Sequence, residues 1–195
     1  MADEQLGLSR TLVPLRDTIV STVELVGERY KDGLPVPVDV TGDDTVVVFA
    51  DPERLVQVLR SLLDNAVKFS DARGRVTVSF AAVDGGRRVR IEIADQGVGI
   101  PTGDLPRIFD RFFQVDSSAT RRFGGTGMGL ALVKRLVSAH GASVHIESVE
   151  GEGTRVTLLW PADPDPADGG ASAAAEEPET PPRRRRSAGP VVPVQ

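Results

Sequence analysis

The sequence predicts an α/β fold. Three observations carry that expectation: stretches whose apolar residues recur at helical spacing, stretches whose apolar residues alternate in steps of two, and Gly/Asp-rich turn clusters between them. Both periodicities occur within one stretch of chain, residues 11–161, which is taken as a single domain after a short lead-in at 1–10.

In chain order, Leu12, Leu15, Ile19, Val23 and Val26 recur at helical spacing, so a first amphipathic helix is expected, ending before Asp32 and Gly33. Val36 to Val40 and Val46 to Phe49 read as two short strands around a turn at Thr41, Gly42, Asp43 and Asp44. Asp51 is suited to cap a helix and Pro52 to its first position, with Glu53 in the first turn, so a second helix is expected from there to about Phe69. Val76, Val78 and Phe80, then Val89, Ile91 and Ile93, alternate with polar or small residues on either side of Asp84, Gly85 and Gly86, which predicts a hairpin. Gln96 to Thr126 is a long Gly-, Pro-, Ser- and Arg-rich stretch with one short helical piece around Leu105 to Phe112. A third helix is expected from about Gly127 to His140, stopped by Gly141, and a second hairpin from Val144 to Trp160. Residues 162–195 shift to Pro, Ala, Gly, acidic residues and the run Arg183 to Arg186, a composition too poor in apolar area to offset the entropy of ordering, so a disordered tail is expected.

Composition narrows the function. The 195 residues carry a formal charge of -5, with no basic face outside that arginine run, which argues against nucleic acid as the main ligand. With no cysteine, thiolate metal sites, disulfides and thiol nucleophiles are excluded, and a reducing cytoplasm is compatible. Met1 to Leu8 has no apolar core of a signal peptide, and no run of about 18 apolar residues is long enough to span a membrane.

Three clusters suggest chemistry. On the second helix Leu55, Val58, Leu59, Leu62, Leu63 and Ala66 form a buried stripe, with Ser61, Asn65 and Lys68 along one edge. Asn65 lies nearest the stripe, where an unpaired amide would cost about 1–3 kcal/mol, so a partner is expected, whether ligand or backbone. Asp95 leaves a strand directly before Gly97 and Gly99; a carboxylate there suits a planar group with an exocyclic amine, such as adenine, and equally suits the capping of a tight turn. Gly124, Gly125, Thr126, Gly127, Met128 and Gly129 lead into a helix whose exposed N–H groups would hold an anion such as a polyphosphate. The spacing is neither a Walker motif nor a dinucleotide fingerprint. Arg121 and Arg122 would add charge there, or form an exposed basic loop.

In this order, with Ile108 to Phe113 between the last two clusters, the chain resembles the ATP-binding catalytic domain of sensor histidine kinases, in the superfamily shared with gyrase, Hsp90 and MutL. LLDNAVKFS resembles the family's N box, DQGVGI its first glycine box, IFDRFFQVD its F box, GGTGMGL its second glycine box and GEGTRVTLLWP its closing strand. The match spans roughly Leu12 to Pro161. It implies a two-layer α/β sandwich of the Bergerat type, with a mixed, mostly antiparallel sheet on about three helices and ATP between helices and lid. The resemblance implies that Asn65 holds Mg²⁺ against the phosphates, that Lys68 also reaches them, and that Asp95 binds the adenine amine with Gly97 and Gly99 shaping the pocket and Thr154 near the base. It further implies a lid from Pro101 to Thr126 containing Arg111 and Phe112, with Gly125, Thr126, Gly127 and Gly129 at the phosphates. The implied activity is ATP–Mg²⁺-dependent phosphorylation of a histidine in the cytoplasm, with a histidine-containing dimerisation and phosphotransfer domain and a response regulator as partners.

Two departures bear on that expectation. Ser61 stands where the family usually has a second Asn, and neither His140, at a helix end, nor His145, in a strand, has the context of a phosphoacceptor. The acceptor is therefore expected from another chain or a preceding region. Ser61 and the missing acceptor leave open a nucleotide-dependent interaction module without turnover. An anti-sigma-factor-type serine kinase is a second alternative, against which the F box argues.

Overall fold

A computed structural model describes residues 7–115 and 127–164. The elements are β1 (Thr11–Pro14), α1 (Leu15–Gly27), β2 (Val38–Gly42), β3 (Val47–Ala50), α2 (Pro52–Phe69), β4 (Val76–Val83), β5 (Arg88–Asp95), α3 (Gly129–Ala139), β6 (Ser143–Val149) and β7 (Gly153–Pro161). A five-stranded sheet runs in the order β2-β4-β5-β7-β6, and β1 pairs with β3 in a separate two-stranded sheet. Only β2 and β4 are parallel within the larger sheet; the other neighbours are antiparallel. With three α-helices among the described residues, this is the mixed α/β sandwich expected.

The alternating strands place Val76, Val78 and Phe80, Val89, Ile91 and Ile93, and Leu158 and Trp160 on one buried face. Leu15, Ile19 and Val26 of α1, the apolar stripe of α2, and Val133, Leu136 and Val137 of α3 pack against it. Burial of each large apolar side chain stabilises the fold by about 1.5–3 kcal/mol. α2 is the middle helix, touching α1 on one flank and α3 on the other. The opposite sheet face is polar, crossed by ion pairs from Arg75 to Asp39 at 3.0 Å and from Arg155 to Glu92 at 3.3 Å.

One local expectation is corrected. Leu12 is not helical: it lies in β1 opposite Phe49 and is 56% exposed. The cause is Pro14, whose ring excludes Val13 from the helical region, so α1 starts at Leu15 with Pro14 as its N-cap. The two strands expected around Thr41 to Asp44 are both present, each paired with a different neighbour. Asp43 Oδ1 accepts from Thr45 N at 2.8 Å in a turn that carries the chain away, so β2 joins β4 and β3 crosses to β1. Trp160 Nε1 donates to Phe49 O at 3.1 Å and ties β3 to the end of β7. In the Gln96 to Thr126 stretch the helical piece is a single 3-10 turn, Leu105–Arg107. Ala162 is buried and its N–H donates to Arg87 O at 3.0 Å; residues 165–195, with Arg183 to Arg186, lie outside the described residues.

Candidate functional site

α2 supplies the first wall. Asp51 Oδ1 accepts from Arg54 N at 3.1 Å, and Pro52 pre-sets the first turn. From there the helix runs 18 residues to Phe69, where Ser70 Oγ donates to Ala66 O at 2.8 Å. Its exposed edge carries Ser61, Asn65 and Lys68 into a cleft of about 740 Å³. Asn65 is half-buried and its amide makes no side-chain hydrogen bond among the described residues, so the partner expected for it is not supplied by them. The Lys68 ammonium stands 4.8 Å from the Phe69 ring centroid. Burial pulls its pKa below the ordinary lysine value, Asp64 opposes that, and Arg29 adds to it.

The second wall is the end of β5. Asp95 is opposite Thr154 on β7, whose N–H donates to Asp95 Oδ1 at 3.3 Å. Burial raises the Asp95 carboxyl to about 6, against hydrogen bonds from the Thr154 and Gly97 N–H groups that favour its charged form. The loop after Asp95 is sewn to the end of α2: Asp71 N donates to Gln96 O at 3.0 Å and Val98 N to Phe69 O at 3.1 Å. A side chain at Gly97 would overlap the Phe69 carbonyl, so glycine there is what lets the Asp95 loop meet the helix carrying Asn65. Gly99 has φ +65° and lies against the Val149 carbonyl. Ser148 Oγ completes this corner, accepting from Ile100 N at 2.8 Å and lying 3.0 Å from Thr154 Oγ1.

The start of α3 closes the third side. Gly127 O accepts from Phe112 N at 2.9 Å, and a Cβ at Gly129 would stand 3.0 Å from Ser61 Oγ, so this helix start abuts α2. Asn65, Lys68, Asp95, Gly99, Gly127, Gly129 and Thr154 thus line one cleft. Gly97 does not line it and lies instead against the Phe69 carbonyl. Arg111 and Phe112 do not line it: Phe112 is 72% exposed with φ +65°, and the following residues, Phe113 to Val115, face the cleft instead. Gly125, Thr126, Arg121 and Arg122 lie outside the described residues.

Sequence reasoning missed Arg29 and Tyr30, which follow α1 and reach the same cleft, and Asp64 of α2. Asp64 was findable, because it shares a helix edge with Ser61 and Lys68; Arg29 and Tyr30 arrive only through the packing of α1 on α2. His140 is buried, its Nδ1 2.7 Å from Leu136 O and its Nε2 accepting from Asp51 N at 3.1 Å. That arrangement needs the neutral ring with its proton on Nδ1. His145 is exposed on β6.

An α/β sandwich with one cleft between helices, strand ends and a loop is the class this geometry defines. The family model described as "Histidine kinase-, DNA gyrase B-, and HSP90-like ATPase" matches residues 50–164, more than half of the chain. The chain belongs to this family. It is 39% identical over 153 residues to the sensor histidine kinase WalK of Bacillus subtilis (strain 168), covering 77% of this chain and 24% of that protein. It is likewise 39% identical over 155 residues to the circadian input-output histidine kinase CikA of Synechococcus elongatus, covering 75% and 20%. The chain therefore spans about a quarter or less of the length of these curated relatives. Among solved structures it resembles full-length ShkA in complex with AMPPNP, with a TM-score of 0.68 and 32% identity over 80% of this chain and 32% of that one. It also resembles the mycobacterial sensor histidine kinase MprB, with a TM-score of 0.67 and 29% identity over 80% and 99%.

Proposed function

We propose that this chain binds ATP with Mg²⁺ and is the catalytic domain of a sensor histidine kinase, which transfers the γ-phosphoryl group to a histidine supplied by another chain or a preceding region. The observation that carries this reading is the convergence of Asp95, Asn65 and Lys68 with the start of α3 on one cleft of about 740 Å³, within the usual range for small-molecule sites. Ile93, Ile146 and Val156 give the Asp95 end apolar walls suited to a planar base, and the carboxylate suits its exocyclic amine. Asn65 and Lys68 offer an amide oxygen and an ammonium at the phosphate end.

The donor set fits Mg²⁺ held jointly with phosphate. Among the described residues no group of three or more His, Cys, Asp or Glu forms a metal cage, and Mg²⁺ ordinarily keeps several waters and takes one or two protein ligands plus phosphate oxygens. Asn65 would be the protein ligand, and bound Mg²⁺ supplies neutralisation of phosphate charge. Lys68 adds charge, the N–H groups at the start of α3 orient the polyphosphate, and Asp95 fixes the base, so the chain contributes positioning more than covalent chemistry.

His140 does not suit the acceptor role, because both its ring nitrogens are bonded inside the fold. On this reading the acceptor belongs to a histidine-containing dimerisation domain, the phosphoryl group passes on to a response regulator, and the work is done in the cytoplasm. Calorimetric titration with ATP–Mg²⁺ and ADP–Mg²⁺ tests the site. The wild type should bind saturably. Asn65→Ala should weaken Mg²⁺-dependent binding by at least about tenfold, roughly 1.4 kcal/mol, with a melting temperature within about 2 °C of wild type, since no hydrogen bond among the described residues is lost. A folded wild type that binds neither nucleotide would sink the reading. Transfer of label from γ-labelled ATP to a histidine-containing dimerisation domain, as an acid-labile, base-stable phosphoramidate, tests the activity.

A further inference from the structure

The phosphate end of the cleft contains a carboxylate where a polyanion is to sit. Ser61, Asp64, Asn65 and Lys68 occupy about 100° of the circumference of α2, and all four line the cleft. Asp64 is four residues before Lys68, and its side chain is only 28% exposed. Left unmasked, the Asp64 carboxylate would repel a polyphosphate approaching this edge. Arg29 changes the balance. It follows α1, where Arg29 N donates to Val26 O at 3.2 Å, and its Nη1 lies 2.7 Å from Asp64 Oδ1 across the α1–α2 groove. Tyr30, beside it on the cleft wall, adds no negative charge: burial, and then Asp64, raise its phenol further above neutral pH.

We infer that Arg29 is a positioning residue for the phosphate end of the site: its guanidinium holds and neutralises the Asp64 carboxylate, so that this acid on the edge shared with Lys68 does not repel a polyphosphate. The inference rests on the nucleotide reading above and deepens it. A tie that merely fastened α1 to α2 would be a half-exposed ion pair of little consequence and indifferent to ligand charge. A charge-compensating pair acts on anionic ligands alone, and its loss is reversed when the acid it masks is also removed.

The experiment is a double-mutant cycle on the full 195-residue chain. Wild type, Arg29→Ala, Asp64→Asn and the double variant are titrated calorimetrically with ADP–Mg²⁺ and with uncharged adenosine, and each is checked by thermal melting. Arg29→Ala should weaken ADP by about tenfold, the effect of one uncompensated charge a few ångströms from a polyanion in a partly wet cleft, and leave adenosine within about twofold. Asp64→Asn should bind ADP at least as tightly as wild type, and the double variant, whose pair position is again neutral, should return to within about twofold of wild type. Equal weakening of both ligands by Arg29→Ala, an unchanged ADP affinity, or a double variant as weak as Arg29→Ala overturns the inference and leaves the nucleotide site standing. A wild type that binds neither ligand overturns the nucleotide reading and this inference with it.

Discussion

Adenosine affinity measured between pH 5 and pH 8 reads the ionisation of Asp95. Burial lifts this carboxyl to about 6 in the folded protein. If the base donates its exocyclic amine to the carboxylate, only the ionised form binds well, and affinity follows the ionised fraction: about 0.9 at pH 7, about 0.5 at pH 6 and about 0.1 at pH 5. The dissociation constant should therefore rise about tenfold from pH 7 to pH 5, with most of the change below pH 6. Adenosine is the right probe because it has no phosphate titrating in that window. Asp95→Asn should bind weakly and with a flat pH profile. Circular dichroism at each pH confirms that the fold persists. A wild-type affinity that stays constant from pH 7 to pH 5 would refute the assignment of Asp95 to the base, and a pH dependence retained in Asp95→Asn would transfer the effect to another group.

Two further outcomes concern the scaffold. His140→Ala should cost about 3 kcal/mol, because it opens a cavity beside Trp160, whose ring centroid is 4.9 Å away, and orphans the Asp51 N–H at the start of α2; a fall in melting temperature of about 6–12 °C checks it. Burial holds the His140 pKa down, with Leu136 O opposing, so the unfolded chain takes up this proton more readily than the folded one. The corresponding stability is complete above the ordinary histidine value of about 6.5 and is lost as the pH falls through the lower folded value, an acid dependence that His140→Ala should lack. Gly97→Ala should lower stability by about 2–3 kcal/mol and weaken nucleotide together, since its methyl would overlap the Phe69 carbonyl and press within 2.8 Å of Asp95 Oδ1; an unchanged melting curve would contradict the close approach.

Local rules sufficed where a segment's structure is decided locally. Asp51 and Pro52 marked the start of α2 to the residue, its wheel placed the Asn65 edge, and alternation around Asp84 to Gly86 gave the β4–β5 hairpin. Leu12 misled because its spacing to Leu15 is helical, while Pro14, between them, settles the backbone. The partners of β2 and β3 were not legible, since a short strand carries its own pattern but not its neighbour's identity. The same limit hid Arg29: its position beside Asp64 is a product of helix packing across 35 residues of chain. Asp95 and Asn65 were found as separate weak signals. That they share a cleft depends on a glycine through which one loop passes against the end of the other's helix.

The place of β7 in the sheet has a temporal consequence. It is the last strand in the described chain, yet it lies inside the sheet, between β5 and β6, and it brings the Thr154 N–H to Asp95 and the Trp160 indole to Phe49. A ribosome-bound chain that has made only α1 through β6 therefore holds the Asn65 helix and the Asp95 carboxylate without the strand that pairs with β5 and brings the Thr154 N–H to Asp95. On the nucleotide reading proposed above, ligand would stabilise the completed cleft and have little to grip before it, so it would act late in biogenesis, as a selector of finished domains rather than a template for their folding.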